Sequence, residues 1–312
     1  MKKFCKVFLS LSVALLFVTG CLNESSPKNS EQPQVVTSIY PVYEITKEVA
    51  GNRANVSIMV GENEDAHHYE PSARAVASVN EADVYIYSSE VMEFWAHSLL
   101  DVVENEKLHI VEMSKSLNLE VDEADHTEHD HDDEDHDHGT ADPHFWLNPM
   151  AVKETLSAIV DGLSKADPEG ADIYQENAEA FANDLDELDA AYHEAFDDAV
   201  NRSFVVQHKA FGHLAEQYNL EQVSVGGMIT EVEPNPQALT NIVNFVKDNN
   251  VPIIYYQSGE NSSTAETLAK ETDTEIAVLY DLENKPADAD FKEASYIELM
   301  YHNLEELQKS IQ

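Results

Sequence analysis

Basic residues, cysteines and long apolar runs are scarce in this sequence, and each shortage excludes a class of protein. Only 18 Lys and Arg stand against 60 Asp and Glu, which gives a formal net charge of −42. Nucleic acids and anionic membrane surfaces repel such a chain, so neither is expected as a partner. Two cysteines exclude a disulfide framework. The fold must therefore depend on an apolar core.

The amino-terminal residues have the pattern of a secretory signal. Two lysines precede an apolar run from Val7 to Thr19, which is shorter than the about 20 residues that a membrane-spanning helix needs. The segment from Val18 to Cys21 resembles a bacterial lipobox, in which the cysteine carries lipid and becomes the new N-terminus. We expect a signal peptide over residues 1–20, lipid on Cys21, and a flexible tether over residues 21–34. A single-span anchor and an ordinary cleavage site are the alternatives.

Apolar patterns in the rest of the chain alternate between short strands and helices, which predicts parallel sheets with helices on their faces. A long helical pattern separates two such sets, with apolar residues every three or four positions from Ile173 to Phe196 and Asp167 as a candidate N-cap. We predict an α/β fold with an N-terminal lobe over 35–165, a linking helix over 166–200 and a C-terminal lobe over 201–312. The strand-like runs are 35–39, 56–60, 84–87, 108–111, 204–206, 223–225, 253–256 and 276–279.

A run of histidines and carboxylates interrupts the first lobe. Five histidines lie among acidic residues between Asp125 and Gly139. Such a run cannot build a core, so we expect a solvated loop over residues 120–140. Imidazole and carboxylate are both ligands of zinc, so the loop indicates a divalent metal. A polar linker that only happens to contain histidine is the alternative.

Other histidines and carboxylates follow predicted strands. In open α/β sheets, ligands bind beyond the carboxyl ends of the strands. These side chains could therefore meet in a crevice between the lobes, although their separations along the chain carry no local signature. The residues concerned are His67, His144, His208, Asp281 and Glu283.

Three segments that contain these histidines resemble, in the same order, motifs of the zinc-binding solute-binding proteins of bacterial ABC importers, known as cluster A-I. The three segments are His67 to Pro71, Asp142 to Pro149 and His208 to His213. Matches are also found at Glu93-Phe94-Trp95, at Glu233 to Pro236 and in the His-rich loop. The resemblance covers the whole mature chain. It implies a C-clamp of two α/β lobes, each with a small parallel sheet, that are joined by a long spine helix and hold Zn²⁺ between them.

The resemblance also implies a ligand set. The implied ligands are His67, His144, His208 and Glu283. The first of these is His67 and not its neighbour His68. Manganese-binding members carry Glu at the third position, so an imidazole at His208 favours zinc. At the fourth position, Asp281 and water are alternatives to Glu283.

The chain departs from the family pattern at three single residues and in the segment Tyr256 to Glu260, which lacks the glutamate often found directly after the strand-like run 253–256. Ala66 replaces a proline, Lys209 stands where a small or acidic residue is common, and His213 replaces an aromatic residue. We expect no role at the metal for His213 or for the other histidines outside the motifs and the loop. Those are His97, His109, His193 and His302, and all five are expected on the surface or on helix faces.

The expected function is capture of Zn²⁺ outside the cell and its delivery to an ABC permease with its ATPase subunit. The protein would act as a monomer, anchored to the outer face of the cell membrane by the lipid on Cys21. A manganese carrier and a zinc-storage or adhesin lipoprotein are the alternatives. An enzyme is not expected: the run from His129 resembles a metallo-hydrolase motif, but Glu134 occupies its last histidine position, and other catalytic motifs are lacking.

Overall fold

The computed structural model describes residues 32–62, 64–117, 141–227 and 236–312. The predicted signal peptide, Cys21, the tether up to residue 31, the His-rich loop over 120–140 and the matched segment 233–235 lie outside the described residues. Within the described ranges, no helix combines the length and the apolar character needed to cross a membrane.

The first half of the described chain forms a parallel sheet with the strand order β2-β1-β3-β4. The central strands β1 and β3 pair in register, with Val35 opposite Val84. Every residue of β3 is buried, as is typical of a parallel strand covered on both faces. The elements are β1 (Gln34–Thr37), α1 (Tyr40–Ala50), β2 (Asn55–Ile58), α2 (Ala73–Glu81), β3 (Val84–Tyr87), α3 (Ala96–Leu100) and β4 (His109–Glu112).

Local sequence signals explain where the first helices begin and end. Pro41 occupies the first turn of α1, where its missing N–H costs nothing. Gly51 ends that helix at a φ of 53° and donates its N–H to the carbonyl of Lys47. The hydroxyl of Ser72 caps α2 by accepting the N–H of Ala75.

Helix α4 (Pro149–Ala166) lies across the first sheet at close range. The side chain of Asn148 caps it by accepting the N–H groups of Met150 and Ala151. Gly162 faces β4, and a Cβ atom at this position would overlap a methyl group of Val111. The absence of a side chain therefore allows the helix to approach the sheet.

Helix α5 (Ala171–Phe196) is the predicted linking helix, but it begins later than the sequence indicates. Asp167 does not cap it; its carboxylate instead accepts hydrogen bonds from Arg53 and from the hydroxyl of Tyr174. A single 3₁₀ turn, Pro168–Gly170, precedes the helix. The buried face of α5 packs against α1 and α4 on one side and against the last helix on the other, so the helix contacts both lobes.

The second half forms another parallel sheet, with the strand order β6-β5-β7-β8. A separate apolar cluster around Val205 and Ile254 lies under α7 and α8, while α9 packs against β8 and against α5. The two-lobe α/β prediction is therefore confirmed. The elements are β5 (Ser203–Val206), α6 (Gly212–Gln217), β6 (Glu221–Ser224), α7 (Pro236–Asn249), β7 (Ile253–Gln257), α8 (Ser263–Thr272), β8 (Glu275–Leu279) and α9 (Tyr296–Leu307).

The close approach of α4 to the sheet predicts the effect of a small substitution. In Gly162→Ala, the overlap of the added methyl group with the stiff side chain of Val111 should cost about 1–3 kcal/mol. After the gain in helix propensity of roughly 1 kcal/mol, the fold should be destabilised by up to about 2 kcal/mol. Urea unfolding measures the change.

The matched control is Val111→Ala in combination with Gly162→Ala. Removing the opposing methyl groups should make the alanine at position 162 less costly than it is in the parent chain. A Gly162→Ala variant that is more stable than the parent would contradict this account of the packing.

Candidate metal centre

Four of the side chains singled out in the sequence lie together in the structure. One ligand atom from each of His67, His144, His208 and Glu283 lies within 4.8 Å of the corresponding atoms of the others. The side chains come from loops that follow strands: His67 from the loop after β2, His208 from the end of β5 and Glu283 from the loop after β8. His144 precedes a 3₁₀ turn, Phe145–Leu147, that leads to α4.

The geometry of the group centres on one carboxylate oxygen. Glu283 Oε1 lies 2.8 Å from Nε2 of His144, 2.8 Å from Nε2 of His208 and 3.4 Å from Nε2 of His67. The three rings meet edge to face, with centroids 5.1–5.9 Å apart. All three imidazoles therefore present the same nitrogen to the same point.

The group is closed to solvent. The exposed fraction is 6% for His67, 0% for His144, 2% for His208 and 4% for Glu283. Three imidazole nitrogens and one carboxylate oxygen form a four-ligand set of the kind that zinc takes in proteins. Buried side chains of this chemistry can hold a divalent ion away from water.

Hydrogen bonds behind two of the rings set their orientation. Asp142 Oδ1 lies 2.7 Å from His144 Nδ1 and accepts the backbone N–H of His144 at 3.0 Å. The carbonyl oxygen of Gly227 lies 3.2 Å from Nδ1 of His208. Because these oxygens accept from Nδ1–H, they leave the Nε2 atoms of both rings free to face the centre.

A second set of hydrogen bonds joins the segment that carries His144 to the loop that carries Glu283. Trp146 Nε1 donates to the carbonyl oxygen of Asp281 at 2.8 Å, and Tyr296 donates its hydroxyl to the carbonyl of Trp146 at 2.7 Å. The carboxylate of Asp281 accepts the backbone N–H of Glu283 at 3.2 Å. Of the two acidic candidates, Asp281 thus supports the loop, while Glu283 faces the histidines.

Burial and charge act in opposite directions on these groups. Burial disfavours the charged form of His144, but hydrogen bonds to Asp142 and Glu283 outweigh it and raise its pKa to about 9. Burial likewise opposes ionisation of Glu283, yet the charge of His208 and the hydrogen bonds from the three rings hold its pKa well below the usual range. Burial, together with the negative charge of Glu283, raises the pKa of Asp281 to about 7.

Two carboxylates make hydrogen bonds that the sequence did not predict. Asp142 belongs to a matched motif, but its bond to His144 becomes evident only in the structure. Glu93 is completely buried and accepts the N–H groups of Ser88 at 2.9 Å and Ser89 at 2.8 Å; burial raises its pKa to about 7. The matched Glu93-Phe94-Trp95 segment was the available signal for this carboxylate.

His213 lies on helix α6, as the sequence leads us to expect, but it makes one contact that the sequence did not predict. It is half-buried, and its Nε2 lies 2.9 Å from the carbonyl oxygen of Asp142. Ala66 and Tyr69, on either side of His67, are buried, and Tyr69 packs against Trp95 with ring centroids 5.1 Å apart.

Comparison with known proteins finds relatives that match almost the whole chain. The family described as ZnuA, zinc-uptake complex component A periplasmic, matches residues 35–310. The zinc-binding lipoprotein AdcA of Streptococcus pneumoniae strain R6 is 36% identical over 314 residues, which cover 99% of this chain and 61% of that protein. The high-affinity zinc uptake system protein ZnuA of Bacillus subtilis is 32% identical, over 99% of this chain and 98% of that protein. This chain therefore spans less than two thirds of the AdcA relative.

Solved structures give the same result for the fold. The Zn(II)-bound ZnuA-like domain of Streptococcus pneumoniae AdcA superposes with a TM-score of 0.75 at 34% identity, over 89% of this chain and 98% of that one. The laminin-binding protein Lmb of Streptococcus agalactiae, described as an adhesin with metal-transporting activity, gives a TM-score of 0.78 at 32% identity, over 90% and 99% of the two chains.

The electrostatics of the group predict how His144 titrates in the metal-free protein. Its imidazole should lose its proton near pH 9, and Glu283→Gln should lower that pKa, because the substitution removes a negative charge while burial persists. Protonation of His144 thus stabilises the metal-free fold below the unfolded pKa of about 6.5, and this contribution is lost as the pH rises through about 9. NMR of labelled imidazole rings measures the titration.

Glu275→Gln is the matched control, because Glu275 is an exposed carboxylate at the start of β8. It should leave the titration of His144 unchanged. If Glu283→Gln raised the pKa of His144 or left it in place, the balance of burial and charge described above would be wrong.

Proposed function

Because this chain belongs to the family of periplasmic zinc-uptake component A proteins, we propose that it binds Zn²⁺ between its two lobes and delivers the ion to an ABC permease. The proposed ligands are His67, His144, His208 and Glu283. The observation that carries the proposal is the convergence of three Nε2 atoms on one oxygen of Glu283.

The donor set supports zinc over manganese. Imidazole nitrogen suits zinc, whereas carboxylate, carbonyl and water oxygens suit manganese. Three nitrogens and one oxygen, all buried, fill the four positions that zinc commonly uses.

The closed ligand shell also supports a carrier. Catalytic zinc sites keep a position open for water or substrate, whereas four protein ligands here occupy the whole set. The family that matches this chain is a family of transport components. The bound ion is therefore cargo in this proposal.

The proposed role as a zinc carrier also implies the partners and the location of the protein. The permease and its ATPase subunit would receive the ion from a monomeric protein that the lipid on Cys21 anchors at the outer face of the membrane. The relative AdcA is named a lipoprotein, which supports the anchor.

We assign the N-terminal lobe to 35–165, the linking helix to 166–200 and the C-terminal lobe to 201–312. The His-rich loop over 120–140 would supply weak, exchangeable zinc sites beside the tight one.

A competitive metal titration on the lipid-free mature protein tests the binding proposal. One zinc ion should bind tightly and manganese far more weakly. His208→Ala should abolish tight binding, because it removes one of the four ligand atoms. Deletion of residues 122–140 should remove only the weak sites.

His97→Ala is the control for histidine loss, since His97 is an exposed residue on α3 whose ring lies near Asp101. It should bind zinc like the parent. The proposed site would be wrong if zinc bound only weakly, at several equivalents per chain, and were lost with residues 122–140.

Growth in scarce zinc tests delivery. Cells that carry only the His208→Ala chain should grow as poorly as cells that lack the protein, and the His97→Ala chain should restore growth. Lmb, a relative in fold, is described as an adhesin as well as a metal transporter. A storage or adhesive role alone would leave growth in scarce zinc independent of the protein.

A further inference from the structure

Asp142, which orients His144, is itself contacted by a residue of the C-terminal lobe. Asp142 accepts, through its carbonyl oxygen, a hydrogen bond from Nε2 of His213 at 2.9 Å. His213 is the second residue of α6, so the contact joins residues that are 71 positions apart. A carbonyl oxygen can only accept, so Nε2 of His213 carries a proton.

The residue before His213 fits against the same aspartate. A Cβ atom at position 212 would overlap Oδ2 of Asp142. Gly212 therefore leaves room for the carboxylate whose other oxygen faces His144 Nδ1. Two neighbouring residues of α6 thus confine both the backbone and the side chain of Asp142.

The start of α6 is fixed in turn by the second sheet. The backbone N–H of Phe211 donates to the side-chain oxygen of Gln222 at 2.7 Å, and Gln222 lies in β6. His208, the third proposed ligand, lies five residues before His213 in the same stretch of chain. A continuous set of contacts therefore runs from β6 through α6 and Asp142 to His144.

We propose that His213 is a positioning residue for the metal centre, which acts by holding the backbone of Asp142 so that its carboxylate orients His144. This inference rests on the proposed function for the identity of the ion. His213 touches neither the ion position nor a ligand ring in this account, and it acts only through Asp142. The segment that bears the third ligand thereby sets the geometry of the second.

The expected loss on removing His213 is partial. His144 keeps its own bond to Asp142, so only the support behind that bond is lost. A single neutral hydrogen bond corresponds to about a 3- to 10-fold change in an equilibrium constant. His213→Phe should therefore weaken zinc binding about 3- to 10-fold, while the metal-free protein remains folded.

Three variants separate a positioning role from a merely structural one. His213→Phe keeps an aromatic ring and removes the donor; His213→Gln keeps an N–H donor at a similar reach. His97→Phe is the matched control on the exposed face of α3. Zinc affinity is measured by competition with a chelator, and the environment of His144 by the NMR signal of its Nδ1 proton in metal-free protein.

The result expected is weaker zinc binding and a displaced His144 Nδ1 signal in His213→Phe, with both restored in His213→Gln and unchanged in His97→Phe. An unchanged Nδ1 signal in His213→Phe would overturn the inference, as would the same loss in His213→Phe and His213→Gln. Because the Nδ1 signal is read without metal, it tests the positioning claim even if the parent protein failed to bind zinc. If the parent binds zinc tightly and His213→Phe binds it equally tightly, the positioning role is refuted while the proposed function stands.

A double-mutant cycle tests the route through Asp142. In an Asp142→Ala background, the carboxylate that His213 positions is gone, so His213→Phe should cause no further loss of zinc affinity. If the two losses simply multiply, His213 acts by another route and the inference is wrong. Thermal unfolding of each metal-free variant shows that the comparison is made between folded proteins.

Discussion

The rest of the structure depends on the burial of one carboxylate, that of Glu283. An isolated charge in a protein interior is costly, so partners must surround it. Here the partners are three imidazoles that come from positions far apart in the chain, and each presents Nε2 to the same oxygen. The ends of both sheets must therefore meet at this point. The local interaction thus constrains how the two lobes pack.

The scaffold meets this constraint with parallel strands and one shared helix. Parallel strands place the following loops at the same edge of each sheet, which is where His67, His208 and Glu283 are found. Helix α5 packs against helices of both halves. Two hydrogen bonds of Trp146, one through its indole and one through its carbonyl, then join the segment of His144 to the loop before Glu283 and to α9. Little freedom remains for the four side chains.

Sequence reasoning succeeds where the cause is local and fails where it is distant. The run 84–87 is predicted and found as β3, because four consecutive buried apolar or aromatic residues leave few alternatives. The start of α5 is missed because Arg53, 114 positions from Asp167, takes the carboxylate that would have capped the helix. The four clustered residues came from a family resemblance and could not be derived from their spacing. The contact of His213 with Asp142 has no local signal at all, since it spans 71 positions.

The two nitrogens of the His144 and His208 rings have different partners. Nδ1 of His144 and of His208 bond to oxygens of the protein, and these bonds need not change when an ion enters. Nε2 faces Glu283, where a proton in the metal-free protein and, in the proposed function, a bound zinc ion can supply the positive charge that the buried carboxylate requires. Burial opposes the charged form of His144, but the hydrogen bonds to Asp142 at Nδ1 and to Glu283 at Nε2 together raise its pKa to about 9, so the imidazolium is favoured in the metal-free protein. In the proposed function, zinc would have to displace the proton on Nε2 of His144, so the contact with Glu283 that stabilises the metal-free site would also compete with the ion.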